Sequence, residues 1–441
     1  MVTCHQKSML SVDSSVPAFI LFGLVYGLII TRNVRGIRLP IWAIMSIGAL
    51  LSLMLQLITF EQALKAINFE IIFFLFGMFV LVSGLESSGL LKYITIKILE
   101  RARTPNRILG FILLILGLLS AFLINDTIAL VATPIVIGLA TQMKIRPVPL
   151  LITLAFGVTI GSMLTPIGNP QNLLVSLNSG MDNPFLNFMF YLGVPTFACL
   201  AVTYLILSKF YKKEFDNSMI PPSLTSENII ENPTLARISL IITLSVIAGF
   251  FLIGFIKTIG VDTDINFSYP ALVGGLLLLV ITKQRKKIFL QINWKIIAFF
   301  VSMFIFMAAM WNGKVIDVFA SVFPTLTSSD ELAAIFAIIS TSAGLSQIMS
   351  NVPFVAVYLQ IMQNLGVSST DTLLWIALAS ASTLAGNLTI LGAASNIIIL
   401  EAAEKHKTEA FSFWEFFKIG SIVTVVTMAI LGMFLLLYSY I

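Results

Sequence analysis

Asp126 lies in Ile124-Asn125-Asp126-Thr127, a polar island within an apolar stretch from 107 to 142. An acid inside a membrane segment is by default a proton carrier or a cation ligand. The alternative is a neutral, hydrogen-bonded cap on a turn. Three further islands carry uncharged donors and acceptors: TPIGNPQN at 165–172, MSNVP at 349–353 and NLTILGAASN at 387–396. Pro166 and Pro170 remove amide donors, and Gly168 permits backbone angles that a helix forbids. Carbonyls and amides around the break are thereby released from the helical ladder to face a ligand. Half-helix amino ends favour anions and exposed carbonyls favour cations. The candidate binding residues are Asn125, Asp126, Thr127, Thr165, Gly168, Asn169, Gln171 and Asn172, with Ser350, Asn351, Asn387, Thr389, Gly392, Ser395 and Asn396. Asp126 is the candidate proton-coupling residue. Gly157, Gly161, Ser162, Ala385 and Gly386 read instead as small residues that let helices approach closely.

The elements that must position these residues are membrane helices. Of 441 residues, 58% are hydrophobic and 11% charged, with a mean hydropathy of +0.99. This composition requires a polytopic membrane protein, multi-pass in the cell membrane. The net charge of +5 resides in short loops, which speaks for topology and against nucleic-acid binding. Cys4 and Cys199 allow neither a disulfide framework nor a metal cluster, and His5 and His406 make a histidine-ligated metal unsuitable. Residues 1–14 lack the pattern of a cleavable signal. No phosphate-binding loop or nucleophile–base pair occurs, so no enzyme and no cofactor is expected.

Spans are expected near 15–31, 38–58, 69–90, 186–208, 236–257, 267–282, 292–313 and 412–440. The runs 107–142 and 331–366 are each interrupted at Asn125 and Asn351, and 148–180 and 372–400 contain the breaks. Loops at 31–38, 92–107, 144–146, 209–213, 283–287 and 405–407 are basic and expected to be cytoplasmic. Loops at 60–70, 178–184, 261–266 and 328–331 are neutral or acidic and expected outside. The alternation requires 107–142 and 331–366 each to enter and leave on one side. Re-entrant hairpins satisfy that requirement, and so do two ordinary spans joined by a tight turn. Both termini then lie outside, with about ten crossings.

The halves also match each other. Asn125 and Asn351 are 226 positions apart, and Thr165, Gly168 and Asn172 reappear 224 positions later as Thr389, Gly392 and Asn396. Asn68-Phe69-Glu70 and Asn293-Trp294-Lys295 are offset by 225. Five crossings per copy is an odd number, so the second copy must be inverted. The expected fold is all-α: two inverted repeats, 1–210 and 235–441, each with five crossings, one re-entrant hairpin and one broken helix. Residues 211–234 form a cytoplasmic linker. Secondary transporters of this design bind their solutes at the repeat interface.

The paired NDT…TPIGNPQN and SNVPF…STLAGNLTILGAASNIIILEAAEKH, followed by FSFWEFFKIG, resemble the ion transporter superfamily. Within it they are most similar to the branch of arsenite permeases and NhaD-type sodium/proton antiporters. The resemblance implies two inverted repeats in a scaffold-plus-transport-domain arrangement, a homodimer and elevator-like movement. For an arsenite permease it also implies a cytoplasmic ATPase subunit as partner. Sodium/dicarboxylate symporters of the superfamily carry Ser-Asn-Thr at both tips, whereas this chain has Asn125-Asp126-Thr127 and Ser350-Asn351-Val352. The expected function is proton-coupled efflux of arsenite, antimonite or a small anion, with a proton or sodium as coupling ion. A sodium/proton antiporter and a sodium-coupled anion symporter are the alternatives.

Overall fold

Hydrocarbon offers no partner for a free backbone N–H or C=O, so long apolar runs fold as helices that satisfy themselves. A computed structural model of the chain describes residues 15–31, 33–34, 37–102, 104–216, 229–258, 268–315, 317–318 and 331–440. Residues 1–14, 261–266 and 328–330, and 217–228 of the expected linker, lie outside the described residues. Among the described residues seven helices are long and apolar enough to cross a membrane, and five shorter apolar helices accompany them. The protein is an all-α, multi-spanning membrane protein.

Two groups of segments pack separately, Met1–Ile72 with Asn293–Pro324, and Phe73–Ile292 with Thr325–Ile441. The first contains α1 (Ser15–Thr31), a ribbon pairing Asn33–Val34 with Ile37–Arg38, α2 (Ile41–Met54), α3 (Phe60–Ala66) and α15 (Trp294–Asn312). Its core gathers Phe22, Tyr26 and Phe306, and the Ser46 and Ser302 hydroxyls meet at 2.9 Å.

The second group holds every candidate site residue. Its elements are α4 (Phe69–Ser87, shared at its first turn with the first group), α5 (Leu90–Leu99), α6 (Pro105–Leu123) and α7 (Asn125–Gln142). There follow α8 (Val148–Ser162), α9 (Pro170–Asn178), α10 (Pro184–Phe210), α11 (Lys212–Asp216), α12 (Pro233–Thr258), α13 (Ser268–Ile281) and α14 (Arg285–Gln291). Then come α16 (Glu331–Met349), α17 (Asn351–Asn364), α18 (Thr372–Ala385), α19 (Ala394–Lys405) and α20 (Phe413–Tyr438). The polar islands fall where the helices stop: Asn125 and Asn351 open α7 and α17, while 163–169 and 386–393 separate α8 from α9 and α18 from α19. Three stretches expected as loops carry the short helices α3, α5 and α14. Their apolar residues are too few to span, and α3 is closed by a Thr59–Gln62 capping box.

Helix α6 lies against α8 through glycine. A Cβ at Gly161 would overlap the Gly117 backbone, and one at Gly117 would stand 2.7 Å from the Gly157 carbonyl oxygen. The packing role read for Gly157 and Gly161 matches this close approach. A π-helical turn, Ile112–Leu116, interrupts α6 opposite Gly157.

Candidate functional site

Each helix pair turns on a strained residue. Ile124 (φ 64°, ψ 124°) and Ser350 (φ 67°, ψ 154°), immediately before Asn125 and Asn351, have positive φ without being glycine. Such strain persists only where the surroundings over-determine it, and it clusters at functional sites. The first turn is held against its break, because the Asn125 N–H donates to the Gly168 carbonyl at 2.9 Å. Thr165 Oγ1 donates to the Ala121 carbonyl of α6. A side chain at Gly168 would collide with the Ser162 carbonyl, so this position needs glycine for the close approach.

The two breaks are tied internally by one pattern. Asn172 Nδ2 donates to the carbonyls of Ser162 (3.2 Å) and Thr165 (3.1 Å), ten and seven residues back. Asn396 Nδ2 donates to Gly386 (2.8 Å) and Thr389 (3.3 Å), again ten and seven back. These carbonyls are the ones that helix termination leaves free, and a buried carbonyl without a partner is costly.

The breaks are also joined to each other. Thr383 Oγ1 of α18 receives hydrogen bonds from Asn169 Nδ2 (3.1 Å) and Gln171 Nε2 (3.4 Å) and lies 3.0 Å from Asn172 Oδ1. Thr159 of α8 meets Ser395 at 3.5 Å. Helix α9 packs on α17 and α18, and α19 packs on α7 and α8. The two breaks therefore pack against each other within the second group of segments. Thr159, Thr383 and Gln347 were missed at the sequence level, and Ser162, read as a small packing residue, also accepts from Asn169 and Asn172. Thr159 and Thr383 are themselves 224 positions apart, the offset already seen in the breaks.

Chemically the two breaks differ. Asn169 is extended (φ −152°) and caps α9 by accepting the Asn172 N–H at 2.8 Å, with Pro170 at the first helical position. Its Nδ2 also reaches Ser162 Oγ at 2.9 Å. The corresponding residue before α19 is Ala393, and α19 has no side-chain cap. Thr389 Oγ1 donates to Gln347 Oε1 (2.9 Å) rather than to a backbone carbonyl, and Gln347 Nε2 donates to the Ala385 carbonyl (2.8 Å). Gly392 sits beneath Gln347, with 3.0 Å from a notional Cβ to Oε1. The amides of Asn351 and Asn387 are buried and make no hydrogen bond at either end; Asn396 Oδ1 is likewise unpartnered.

Asp126 is 6% exposed, in the first turn of α7. Its N–H is held by Asn125 Oδ1 at 2.9 Å, yet among the described residues no hydrogen bond or ion pair reaches its carboxylate. No other Asp or Glu, and no Lys, Arg or His, is buried among the described residues. Thr127, half-buried, follows it. Glu86 is half-buried and Glu401 exposed. A narrow cleft where Phe74 and Leu75 meet Ile124, Ile167 and Asn169 is too tight for water. No group of three or more metal-ligating side chains occurs among the described residues.

A single buried acid, interrupted helices and convergent amides suit binding and translocation of a solute, and comparisons with known proteins agree. The "46 kDa membrane protein" of Mycobacterium leprae is 29% identical over 436 residues, covering 96% of this chain and 98% of that one. The silicon efflux transporter LSI3 of Oryza sativa subsp. japonica is 22% identical over 511 residues, covering 95% and 97%. The Alcanivorax borkumensis YdaH transporter shares the fold at TM-score 0.57 and 13% identity, over 96% of this chain and 97% of that one. Residues 26–381 match the family described as "Citrate transporter" (CitMHS). The chain thus belongs to the CitMHS citrate transporter family, and is a multi-pass plasma-membrane protein that carries a small solute by secondary active transport rather than an enzyme.

Proposed function

We propose that the protein exports a small, weakly acidic oxyacid of the arsenite or antimonite class in exchange for protons, with Asp126 as the proton carrier. The observation that carries this reading is the charge inventory of the site. Asp126 is buried without a cationic partner among the described residues, and the other candidate residues carry amides, hydroxyls or, at the glycines, backbone groups alone. A multiply charged carboxylate would meet an acid and no lysine or arginine, and desolvating it there is unfavourable. A neutral oxyacid meets no such penalty. Dissolved silicon is also a neutral hydroxylated acid near neutral pH, and a silicon efflux transporter is among the relatives.

Two inverted repeats, 1–210 and 235–441 about a 211–234 linker, are part of this proposal, with re-entrant turns at Ile124 and Ser350. Support comes from the equal spacing of the Asn172 and Asn396 hydrogen bonds, the shared positive φ at both turns and the crosswise packing of α9 and α19. Breaks meeting midway along two such copies give a solute one site reachable from alternating sides. A homodimer, and a cytoplasmic ATPase subunit as partner, belong to the same reading and rest on the family resemblance alone.

The family description favours a second reading, citrate transport, in which two sodium ions would offset the substrate charge. Everted vesicles under an imposed pH gradient, supplied separately with arsenite, sodium or citrate, separate the readings. Arsenite uptake driven by the gradient supports the first. Sodium-dependent citrate uptake, or sodium-driven proton movement without arsenite flux, replaces it. Asp126→Asn is expected to lower gradient-driven flux about tenfold or more and to flatten its pH dependence. Unaltered pH dependence in that variant would remove Asp126 from the coupling step.

A further inference from the structure

Two short helices occupy matching places in the two halves of the chain. α3 (Phe60–Ala66) and α14 (Arg285–Gln291) lie 225 positions apart, the offset that also separates Asn68 from Asn293. Each has one buried residue at its middle, Ala63 in α3 and Ile288 in α14. Each also exposes large apolar side chains, Phe60 and Leu64 in the one, Phe289 and Leu290 in the other. Their charges differ. Glu61 and Lys65 of α3 pair at 2.7 Å and cancel. α14 carries Arg285, Lys286 and Lys287, with Lys283 just before it, and no acid. Lys287 reaches Glu231 at 3.6 Å, whereas Lys283, Arg285 and Lys286 are exposed and form no ion pair among the described residues.

The neighbours of α14 hold it at the bilayer surface. Only 282–284 separate it from α13 and 292–293 from α15, a reach of about 10 Å at most. The headgroup layer is itself about 5–8 Å thick on each side of the hydrocarbon. Val280 and Ile281, in the last turn of α13, are 77% and 51% exposed, so an apolar wall runs up to Lys283. Within α14, Arg285 and Phe289 share one face at four-residue spacing, and Lys286 and Leu290 share the side away from Ile288.

We propose that α14 is a binding surface for anionic phospholipid, with Lys283, Arg285 and Lys286 holding the headgroup phosphate while Phe289 and Leu290 enter the acyl layer. A guanidinium matches a phosphate in two-pronged fashion, and lysine adds a point charge. Cations one turn from exposed apolar side chains suit a partner that is anionic at one end and apolar at the other. The positive-inside rule asks only for cations in the loop and does not place them in this way. The α3 helix shows that the apolar exposure occurs without the charge, so the charge answers a separate need. The surface is also tied to its surroundings. The Ser87 hydroxyl at the end of α4 donates to Gln291, and Lys287 holds Glu231 just before α12. Lipid bound at α14 therefore braces three elements and stabilises the fold, whichever solute the protein carries.

The test uses full-length protein in neutral detergent, given phosphatidylglycerol, phosphatidylcholine or inorganic phosphate. Lipid retention and melting temperature are measured for each. Phosphatidylglycerol is expected to raise the melting temperature by about 4 °C, and the other two to leave it unchanged. Lys283→Gln/Arg285→Gln/Lys286→Gln should weaken phosphatidylglycerol retention about a hundredfold, at about fivefold per charge, and abolish the shift. Leu290→Ser should weaken retention about tenfold with every charge in place. Lys65→Gln, which removes a cation from α3 instead, should alter neither readout. Without lipid, the triple variant should melt with wild type, because its three side chains are exposed and unpaired. An equal shift from phosphatidylcholine, or an undiminished shift in the triple variant, overturns the proposal. A shift from inorganic phosphate alone makes α14 a simple anion site and also overturns it. Equal losses in Lys65→Gln would trace the effect to overall charge, with the same result. Should the triple variant not fold, Lys286→Gln reads the same surface, and unchanged retention there sinks the assignment.

Discussion

Asn172 and Asn387 are both fully buried asparagines at helix breaks, and only their partners distinguish what each does. Asn172 closes two orphaned carbonyls and leans on Thr383, while the Asn387 side chain makes no hydrogen bond. Thr383 is the residue through which α18 holds the first break in shape. Thr383→Val would strip a partner from Asn169, Gln171 and Asn172 together. Losing a partner at a buried amide costs about 1–3 kcal/mol, so thermal unfolding in detergent should show a loss of that order. Thr383→Ser keeps the hydroxyl and is expected to restore most of it. Equal damage from both substitutions would mean that the methyl group, not the hydroxyl, matters. Thr383 does not stand out in the sequence because ALASASTLAGN is filled with small side chains of the kind that pack helices.

At the scale of elements, helix pairing depends on where glycine permits contact. Gly161 and Gly138 are both helical, yet only the first faces another backbone. Gly161→Ala must push α8 away from α6 and is expected to destabilise by about 1–3 kcal/mol through overpacking. Gly138→Ala meets nothing within 4 Å and is expected to stabilise by about 0.5–1 kcal/mol through lower backbone entropy in the unfolded chain. Unfolding midpoints of the two variants, compared with wild type, check both signs. The apolar runs read from hydropathy correspond closely to the helices, for instance 15–31 to Ser15–Thr31 and 412–440 to Phe413–Tyr438. The short helices α3, α5 and α14 were not legible, since their charged residues mark them as loops when only spans are sought.

Across the molecule, distant segments meet at the ends of the helices. Arg146, between α7 and α8, reaches Glu409 at 2.9 Å, Glu415 of α20 at 3.2 Å and Glu214 of α11 at 3.6 Å. Elsewhere Gln363 Nε2 donates to the Asn178 carbonyl at 2.8 Å, joining the end of α17 to that of α9. Three carboxylates around one guanidinium leave excess negative charge. The Glu214 carboxyl is accordingly raised above its ordinary range, by burial first and then by Glu415 and Glu409, against the lowering effect of Arg146. The folded protein then binds this proton more tightly than the unfolded chain, so the contribution to stability falls as pH rises through the carboxylate range to the raised value. Glu214→Gln removes that dependence. Its melting temperature relative to wild type should be more favourable at about pH 8 than at about pH 5. A difference independent of pH would exclude Glu214 titration as the cause.

By itself the sequence determined that the chain crosses the membrane, where its long apolar helices run and where they break, because hydropathy and proline, glycine and asparagine act locally along the chain. It also singled out Asp126, since one acid in an apolar run is visible without coordinates. Only the tertiary structure decided which polar residues satisfy one another. Thr383 meets Asn172 across 211 positions, and Gln347 meets Thr389 across 42. Such pairings depend on how helices are brought together in space, and residue type alone does not reveal whether an asparagine's hydrogen bonds are already spent.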